Sequence, residues 1–362
     1  MGLSLRQRMG LELQRSLRHN EAQLHPLRTL FWECTLRCNM SCRHCGSDCK
    51  VQPTVKDMPA GDFLRVIDAI SPHVDTHKVF VIFTGGEALL RPDLEEVGLE
   101  LYRREYPWGL VTNGFLLDER RLESLLASGM HSITVSLDGF EEEHNWIRRH
   151  PQSFERASNA IRLLAQQRDI LWDVVTCVNP RNYPRLKEFK EYLVSLGVRA
   201  WRLFSIFPMG RAAGNAELQF SDEQFRGLLD FIAECRNRSE VGGRRSDTLH
   251  VSYACEGFLG EYEQRVRDHF FHCRSGVDVA SVRCDGAISG CTSVRSHMDQ
   301  GNIYKDDFWD VWENRFRVMR DRSWAKKDQC ASCKVWRYCE GSGLHLYDDN
   351  GELLTCHYNR IR

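Results

Sequence analysis

Short apolar, β-branched runs recur along the first two thirds of the chain, and each ends in polar or glycine residues. TLFWEC (29–34), VFVIFTGG (79–86), WGLVTNG (108–114), SITVSLDG (132–139), LWDVVTCVN (171–179) and RAWRLFSIF (199–207) each predict a short buried strand. Between them lie stretches with apolar residues at helical spacing: 59–71, 91–105, 117–129, 153–167 and 183–197. Several open on Asp, Ser or Pro, and two close on Gly129 and Gly197, as helix starts and stops do. Strand-helix units in regular alternation predict a parallel sheet with helices outside. Curled on itself, such a sheet is a partial (β/α)6 TIM-like barrel, whose working residues belong at the C-terminal ends of its strands.

The unusual residues fall at those ends. A cysteine cluster comes after the first strand, Gly85-Gly86-Glu87 after the second, Thr112-Asn113-Gly114 after the third and Ser136-Leu137-Asp138-Gly139 after the fourth. Glycine turns close strands in any α/β protein, but four in register beside cysteines point to a site. After about residue 240 the pattern changes. GGRR (242–245) marks a linker, and the remainder of the chain is rich in cysteine, glycine and short turns, as in a small unit held by metal rather than by a core. The expected division is an N-terminal helical extension at 1–28, a barrel at 29–240 and a cysteine-rich unit at 241–362.

With Lys plus Arg at 49 against Asp plus Glu at 50, the formal net charge is −1; no global field draws the protein to nucleic acid or anionic lipid. The basic first 29 residues lack the apolar stretch of a secretion signal, and no run of eighteen apolar residues occurs, so no membrane span is expected and a cytoplasmic location is. Fifteen cysteines in a reducing compartment read as metal ligands or reactive thiols rather than disulfides.

Cys38, Cys42 and Cys45 offer three thiolates within one loop, flanked by Cys34 and Cys49, which are expected to be spectators. A zinc site with three ligands leaves a position open. Three cysteines on an iron-sulfur cubane leave its fourth iron exposed, which suggests chemistry rather than scaffolding.

Cys38-x3-Cys42-x2-Cys45 after a first strand, with Gly85-Gly86-Glu87 after the next, resembles the radical S-adenosylmethionine (SAM) superfamily over residues 29–210. The resemblance implies a [4Fe-4S] cluster whose open iron is chelated by SAM, and reductive cleavage of SAM to a 5′-deoxyadenosyl radical that removes hydrogen from substrate. It implies that the Gly-Gly-Glu segment receives the methionine amino group. By position, Ser136 and Asp138 would reach the ribose, Asn113 would join the cofactor site, and His44 would stand where the family usually puts an aromatic ring near adenine. Arg148 and Arg156 are the candidates to pair with the SAM carboxylate. A small electron-transfer protein is the expected reductant.

Cys273, Gly286 and Cys291, then Cys330-x2-Cys333-x5-Cys339 and Cys356, resemble the SPASM auxiliary-cluster domain of radical SAM enzymes that modify peptides and proteins. That resemblance implies one or two auxiliary iron-sulfur clusters. Cys330, Cys333, Cys339 and Cys356 form one complete set; the other keeps Cys273 and Cys291, with Cys255 as a third. Gly343 replaces the family's further cysteine, which leaves the second cluster with an open iron, a substitute ligand such as Cys284 or a histidine, a smaller core, or no cluster at all; an incomplete but present cluster is the expectation. Zinc is the alternative metal for this region.

The implied activity is modification of a peptide or protein side chain, with catalytic residues unassigned. An anaerobic sulfatase maturase is a second reading, weakened by Thr292, where those enzymes carry an aspartate after the cysteine equivalent to Cys291. A non-catalytic iron-sulfur or zinc scaffold is the contrasting class. Trp309 and Trp312 are expected on a buried helix face, PMGRAAGN (208–215) is either a substrate-side loop or a plain one, and the N-terminal segment either packs on the barrel or docks peptide.

Overall fold

The computed structural model describes residues 3–241, 249–254, 256–294 and 298–362. Cys255 and the GGRR linker lie outside the described residues.

All six expected strands form: β1 (Thr29–Thr35), β2 (Phe80–Gly85), β3 (Trp108–Thr112), β4 (Met130–Ser136), β5 (Leu171–Val178) and β6 (Ala200–Ser205). They pair in chain order and all parallel. Four further strands extend the sheet. β7 (His250–Tyr253) pairs parallel with β6, while β8 (Val279–Val282) pairs parallel with β1 on the opposite side. β9 (Ala287–Ser289) and β10 (Gly301–Asn302) continue from β8 antiparallel, giving the order β10-β9-β8-β1-β2-β3-β4-β5-β6-β7.

The five expected inter-strand helices form, as α2 (Ala60–Ile70), α3 (Leu94–Arg103), α4 (Glu119–Ala127), α6 (Ser153–Ala165) and α7 (Leu186–Ser195), with α1 (Leu5–Leu24) before the sheet and α9 (Phe308–Asn314) carrying Trp309 and Trp312; α5 (Glu141–Arg148) and α8 (Asp222–Val241) are further helices outside the expected stretches. Asp118 caps α4 by accepting from Arg121 N–H, and Ser4 with Gln7 forms a capping box on α1, satisfying N–H groups that the helix leaves free. Gly129 and Gly197 come after α4 and α7 at φ of 85° and 84°, a conformation that a side chain would strain.

The core lies between sheet and helices. Trp32 stacks on Phe63 of α2 with ring centroids 4.3 Å apart and meets Phe83 at 5.4 Å; Phe83 in turn meets Trp108 at 5.2 Å. Each such fully buried ring stabilises the fold by roughly 1.5–3 kcal/mol. Trp312 of α9 is fully buried and donates to His25 O at 3.2 Å, whereas Trp309 is half-buried and stacks on His73. The buried helix face expected of this pair therefore holds fully for Trp312 and in part for Trp309.

The N-terminal helix has a definite seat on the cysteine-rich segment. Arg18 donates to Tyr338 O at 2.9 Å and pairs with Glu340, Tyr338 donates to Glu12 at 2.7 Å, and Gln7 donates to Glu261 O at 2.9 Å. No described helix is long and apolar enough to cross a membrane.

Candidate functional site

The loop after β1 gathers Cys38, Met40, Cys42 and Cys49 into one buried cluster, with Cys45 and Phe115 against it. Backbone N–H groups turn toward sulfur: Met40 N lies 3.4 Å from Cys38 Sγ and Cys49 N 3.4 Å from Cys45 Sγ. A hydrogen bond from the Cys49 thiol, together with that N–H, lowers the Cys45 thiol, and the same contact, with burial, pushes Cys49 up. That contact favours the thiolate at Cys45, the form that binds metal. Burial pushes Cys38 up to about 12, a cost that bound iron would offset. Cys34 turns the other way, its thiol donating to Thr84 O at 3.3 Å within the core.

The loop is clasped from outside. Arg211, in the PMGRAAGN stretch, donates from Nε to Cys42 O and from Nη1 to Cys49 O, both at 2.7 Å, and its N–H reaches Cys45 O at 3.0 Å. Gly210 makes this approach possible: its φ is 56°, and a Cβ there would sit 2.5 Å from Cys45 O. The stretch is therefore a clamp on the cysteine loop.

Gly85, Gly86 and Glu87 run directly beside residues 35–37. Gly86 N donates to Thr35 O at 2.7 Å and Glu87 N to Arg37 O at 2.9 Å. A Cβ on Gly85 would lie 2.1 Å from Thr35 O, and one on Gly86 2.0 Å from Arg37 O; the glycines are what allow this segment to touch the strand that launches the cysteine loop. Glu87 is fully buried, and its carboxylate accepts from Thr112 Oγ1 at 2.6 Å, Asn113 N at 2.8 Å and Leu89 N at 3.2 Å. Burial raises its carboxyl against those three donors. Its role in this geometry is to tie β2 to β3. Asn113 completes the tie by donating from Nδ2 to Asn39 Oδ1 of the cysteine loop at 2.8 Å.

At the end of β4, Ser136 is buried and Asp138 fully so. Asp138 accepts from Arg148 Nε at 2.6 Å and from Cys177 N at 2.8 Å, while its own N–H donates to His144 Nδ1 at 2.9 Å. Burial alone would push the Asp138 carboxyl up, but the Arg148 charge, with His44 and His144 near, holds it at about 2. Ligand atoms of His44, Asp138 and Cys177 lie within 4.8 Å of one another, and His44 Nδ1 is buried without a partner. The structure thus brings His44, Asp138 and the cysteine loop together. Arg148 joins them, with Nη1 3.9 Å from Cys42 Sγ. Arg156 stands apart: it is exposed and lies over the Phe115 ring at 5.5 Å in an open groove.

Sequence reasoning misses His144 and Cys177. Their signal is weak: a histidine and arginine four apart in a short, charge-rich helix, and a cysteine inside an apolar strand.

In the C-terminal segment, Cys330, Cys333, Cys339 and Cys356 line one cavity, which fits a four-thiol site. Cys273 and Cys291 are half-buried and pack against the main core. The Cys284 thiol turns to Glu33 Oε1 at 3.7 Å. At Gly343 a Cβ would meet the His345 ring at 2.6 Å and Glu256 O at 2.8 Å.

The donor sets fit iron-sulfur clusters at both places: three thiols in one loop, with the thiolate favoured at one of them, and four thiols around one space. Residues 32–193 match the radical SAM superfamily, and residues 273–334 match an iron-sulfur cluster-binding domain, SPASM. The chain is 27% identical over 337 residues to the AdoMet-dependent heme synthase of Methanosarcina barkeri, covering 90% of this chain and 94% of that one. It is 27% identical over 321 residues to the mycofactocin maturase MftC of Mycobacterium tuberculosis, covering 86% and 77%. The solved structure of anSMEcpe with bound AdoMet and Cp18Cys peptide superposes with a TM-score of 0.68 at 20% identity, covering 90% of each chain. The sheet is the partial α/β barrel of that fold, and the cofactors are SAM, the [4Fe-4S] cluster of the barrel and the auxiliary iron-sulfur complement of the SPASM region. On these grounds the chain is a radical SAM enzyme with a C-terminal SPASM domain.

Proposed function

We propose that Cys38, Cys42 and Cys45 hold the SAM-binding cluster and that the enzyme removes a hydrogen atom from a peptide or protein side chain, modifying it. The observation that carries this reading is the direct pairing of Gly86 and Glu87 with Thr35 and Arg37, which holds the Gly-Gly-Glu segment against the start of the three-thiol loop. Cys38, Cys42 and Cys45 would hold the cluster, which once reduced would supply the electron for reductive cleavage of SAM. The surrounding residues position and shield. Backbone carbonyls at 85–87 accept the methionine ammonium, and Glu87 fixes their height. Ser136 and Asp138 face the ribose, with Arg148 keeping Asp138 ionised. His44 and Asn113 border the adenine side, and Arg156 is kept as a candidate for the carboxylate. Cys330, Cys333, Cys339 and Cys356 hold an auxiliary cluster, with Cys273, Cys291 and Cys255 as the remaining candidates, and a small electron-transfer protein supplies electrons.

Support for a peptide substrate comes from the mycofactocin maturase relative and from the fold shared with a peptide-bound enzyme. A tetrapyrrole substrate is the second reading, favoured by the nearly end-to-end likeness to AdoMet-dependent heme synthase. The sulfatase-maturase reading is weaker because Thr292 stands where an aspartate is needed.

Anaerobic reconstitution with iron and sulfide, then dithionite and SAM, should yield 5′-deoxyadenosine, and Cys42→Ala should abolish it. Candidate peptides and an iron tetrapyrrole added in separate arms should show which accelerates turnover. An iron-loaded enzyme that forms none in any arm would favour the scaffold class instead.

A further inference from the structure

The four-cysteine space of the C-terminal segment lies close to the surface. Cys330 is 9% exposed, Cys333 and Cys356 are half-buried, and Ala331, Ser332 and Lys334 around them are exposed. A line of rings runs past the thiols: Tyr338 meets Phe258 at 6.4 Å between centroids, and Phe258 meets Tyr358 at 5.8 Å. Cys333 and Cys339 pack against the same apolar cluster, and Tyr358 lines the four-cysteine space itself.

Exposed cations stand along this line. Lys334 directly follows Cys333. Arg337 lies over the Tyr338 ring at 5.5 Å, and the Tyr338 hydroxyl also feels the charge of Arg8 on α1. At the other end Arg362 lies over the Tyr358 ring at 5.4 Å, and its charge reaches Cys356. All four cations are exposed. Of the acids nearby, Glu340 pairs with Arg18, Glu12 pairs with Arg15 and Arg337, and Asp328 opposes the cations from beside Cys330. Lys334, Arg362 and Arg8 pair with no carboxylate among the described residues. On the same helix as Arg8, Leu5, Met9 and Leu13 are 76%, 67% and 64% exposed, four residues apart, so the basic face continues into apolar side chains. An apolar patch with a charged rim is the make-up of a protein interface, and a field of one sign steers in a partner of the other.

We propose that this face docks the electron-transfer protein, a small carrier with an acidic contact surface, and brings it against the four-thiol site through Lys334, Arg337, Arg8 and Arg362. The proposal rests on the reading of Cys330, Cys333, Cys339 and Cys356 as an auxiliary iron-sulfur site. In the exchange the carrier loses one electron and that site gains it; no bond is made or broken. The rival entry is the open groove that Arg156 and Arg162 share with Phe115, which packs against the thiols of the cysteine loop. There Asp118 and Glu119 stand on the same wall as the two arginines and cancel their field, a contrast that favours the C-terminal face.

Isothermal titration of the reconstituted holoenzyme with an acidic plant-type ferredoxin, at low and at high salt, tests it. Affinity should fall steeply as salt rises. Lys334→Glu and Arg362→Glu, combined in one chain, should weaken binding about tenfold or more at low salt with iron content unchanged, and Arg162→Glu should bind as the unaltered enzyme does. Should the double variant lose iron, Arg8→Glu on α1 decides the matter through the same titration. Absence of binding, binding indifferent to salt, unchanged affinity in the double variant, or an equal loss in Arg162→Glu would overturn it. So would tight binding of anionic phospholipid vesicles that the same two changes abolish, since the face would then be a membrane contact. Dithionite needs no docking: 5′-deoxyadenosine formed with dithionite but no binding of ferredoxin would fault this surface alone, whereas none formed with dithionite would fault the proposed chemistry.

Discussion

Arg148 Nε donates to Asp138 Oδ2 at 2.6 Å, joining the last turn of α5 to the loop after β4 with both side chains buried. Removing one partner of such a pair strands the other charge. Asp138→Asn should therefore lose about 3–5 kcal/mol of stability, measured by denaturant unfolding, and Arg148→Met, which strands the carboxylate, should cost a similar amount. The same two variants should load less iron, because Arg148 also reaches the Cys42 sulfur.

His144 is one of several histidines held down by burial that make the fold sensitive to acid. Burial holds its pKa at about 3 against the pull of Asp138, and its Nδ1 accepts from the Asp138 N–H, so the native ring is neutral. The unfolded ring protonates near pH 6.5. This depressed group contributes stability that is complete above about pH 6.5 and is lost as pH falls toward 3, at about 1.4 kcal/mol per pH unit. Asp138, held at about 2, adds a loss of the same sign below about pH 4. In His144→Gln, unfolding free energy plotted from pH 7 to pH 4 should be flatter by about one proton.

Gly86→Ala should fail where Gly61→Ala succeeds. A methyl at 86 would lie 2.0 Å from Arg37 O, whereas one at 61, in α2, meets nothing within 4 Å. Gly61→Ala should stabilise by about 0.5–1 kcal/mol, whereas Gly86→Ala should separate the Gly-Gly-Glu segment from the cysteine loop. Equilibrium binding of SAM to the reconstituted protein is the discriminating measurement, with strong loss expected for position 86 alone.

Arg211→Ala should loosen the cysteine loop without unfolding the barrel. Its two side-chain hydrogen bonds to Cys42 O and Cys49 O are each charge-assisted, worth about 1.5–3 kcal/mol. Iron retention against a chelator should shorten markedly while the thermal transition moves little. Cys34→Ala is the matching control: its thiol faces Thr84 O, so iron retention should not change.

The strands are legible because each is an apolar run closed by polar or glycine residues, and β1 to β6 form at the expected places. The extensions are not. β8 is buried along its whole length and β10 is two residues long, so neither shows an alternating pattern, and their place beside β1 is a long-range pairing that local spacing does not encode. In the site, cysteine spacing exposes both thiol groups. Sequence assigns the glycines to making room for a ligand, and the structure adds a nearer cause: they make room for Thr35 and Arg37. Sequence makes Glu87 a ligand acceptor in company with its neighbouring carbonyls, yet its carboxylate is filled by Thr112, Asn113 and Leu89. Such engagement depends on which strands lie side by side, and composition alone is silent on it. Arg148 and Arg156 look alike in sequence; only burial separates them.

The pairing of β8 with β1 also bears on how the protein can be dissected. Leu30 and Trp32 lie on the strand that β8 covers, with Thr29 to Trp32 matched against Val279 to Val282. A truncated barrel lacking the cysteine-rich part would expose that strand as a raw edge, open to intermolecular β-pairing. The barrel excised at residue 240 should therefore aggregate rather than persist as a soluble half-enzyme, and the two iron-binding regions must be taken apart by point substitution instead.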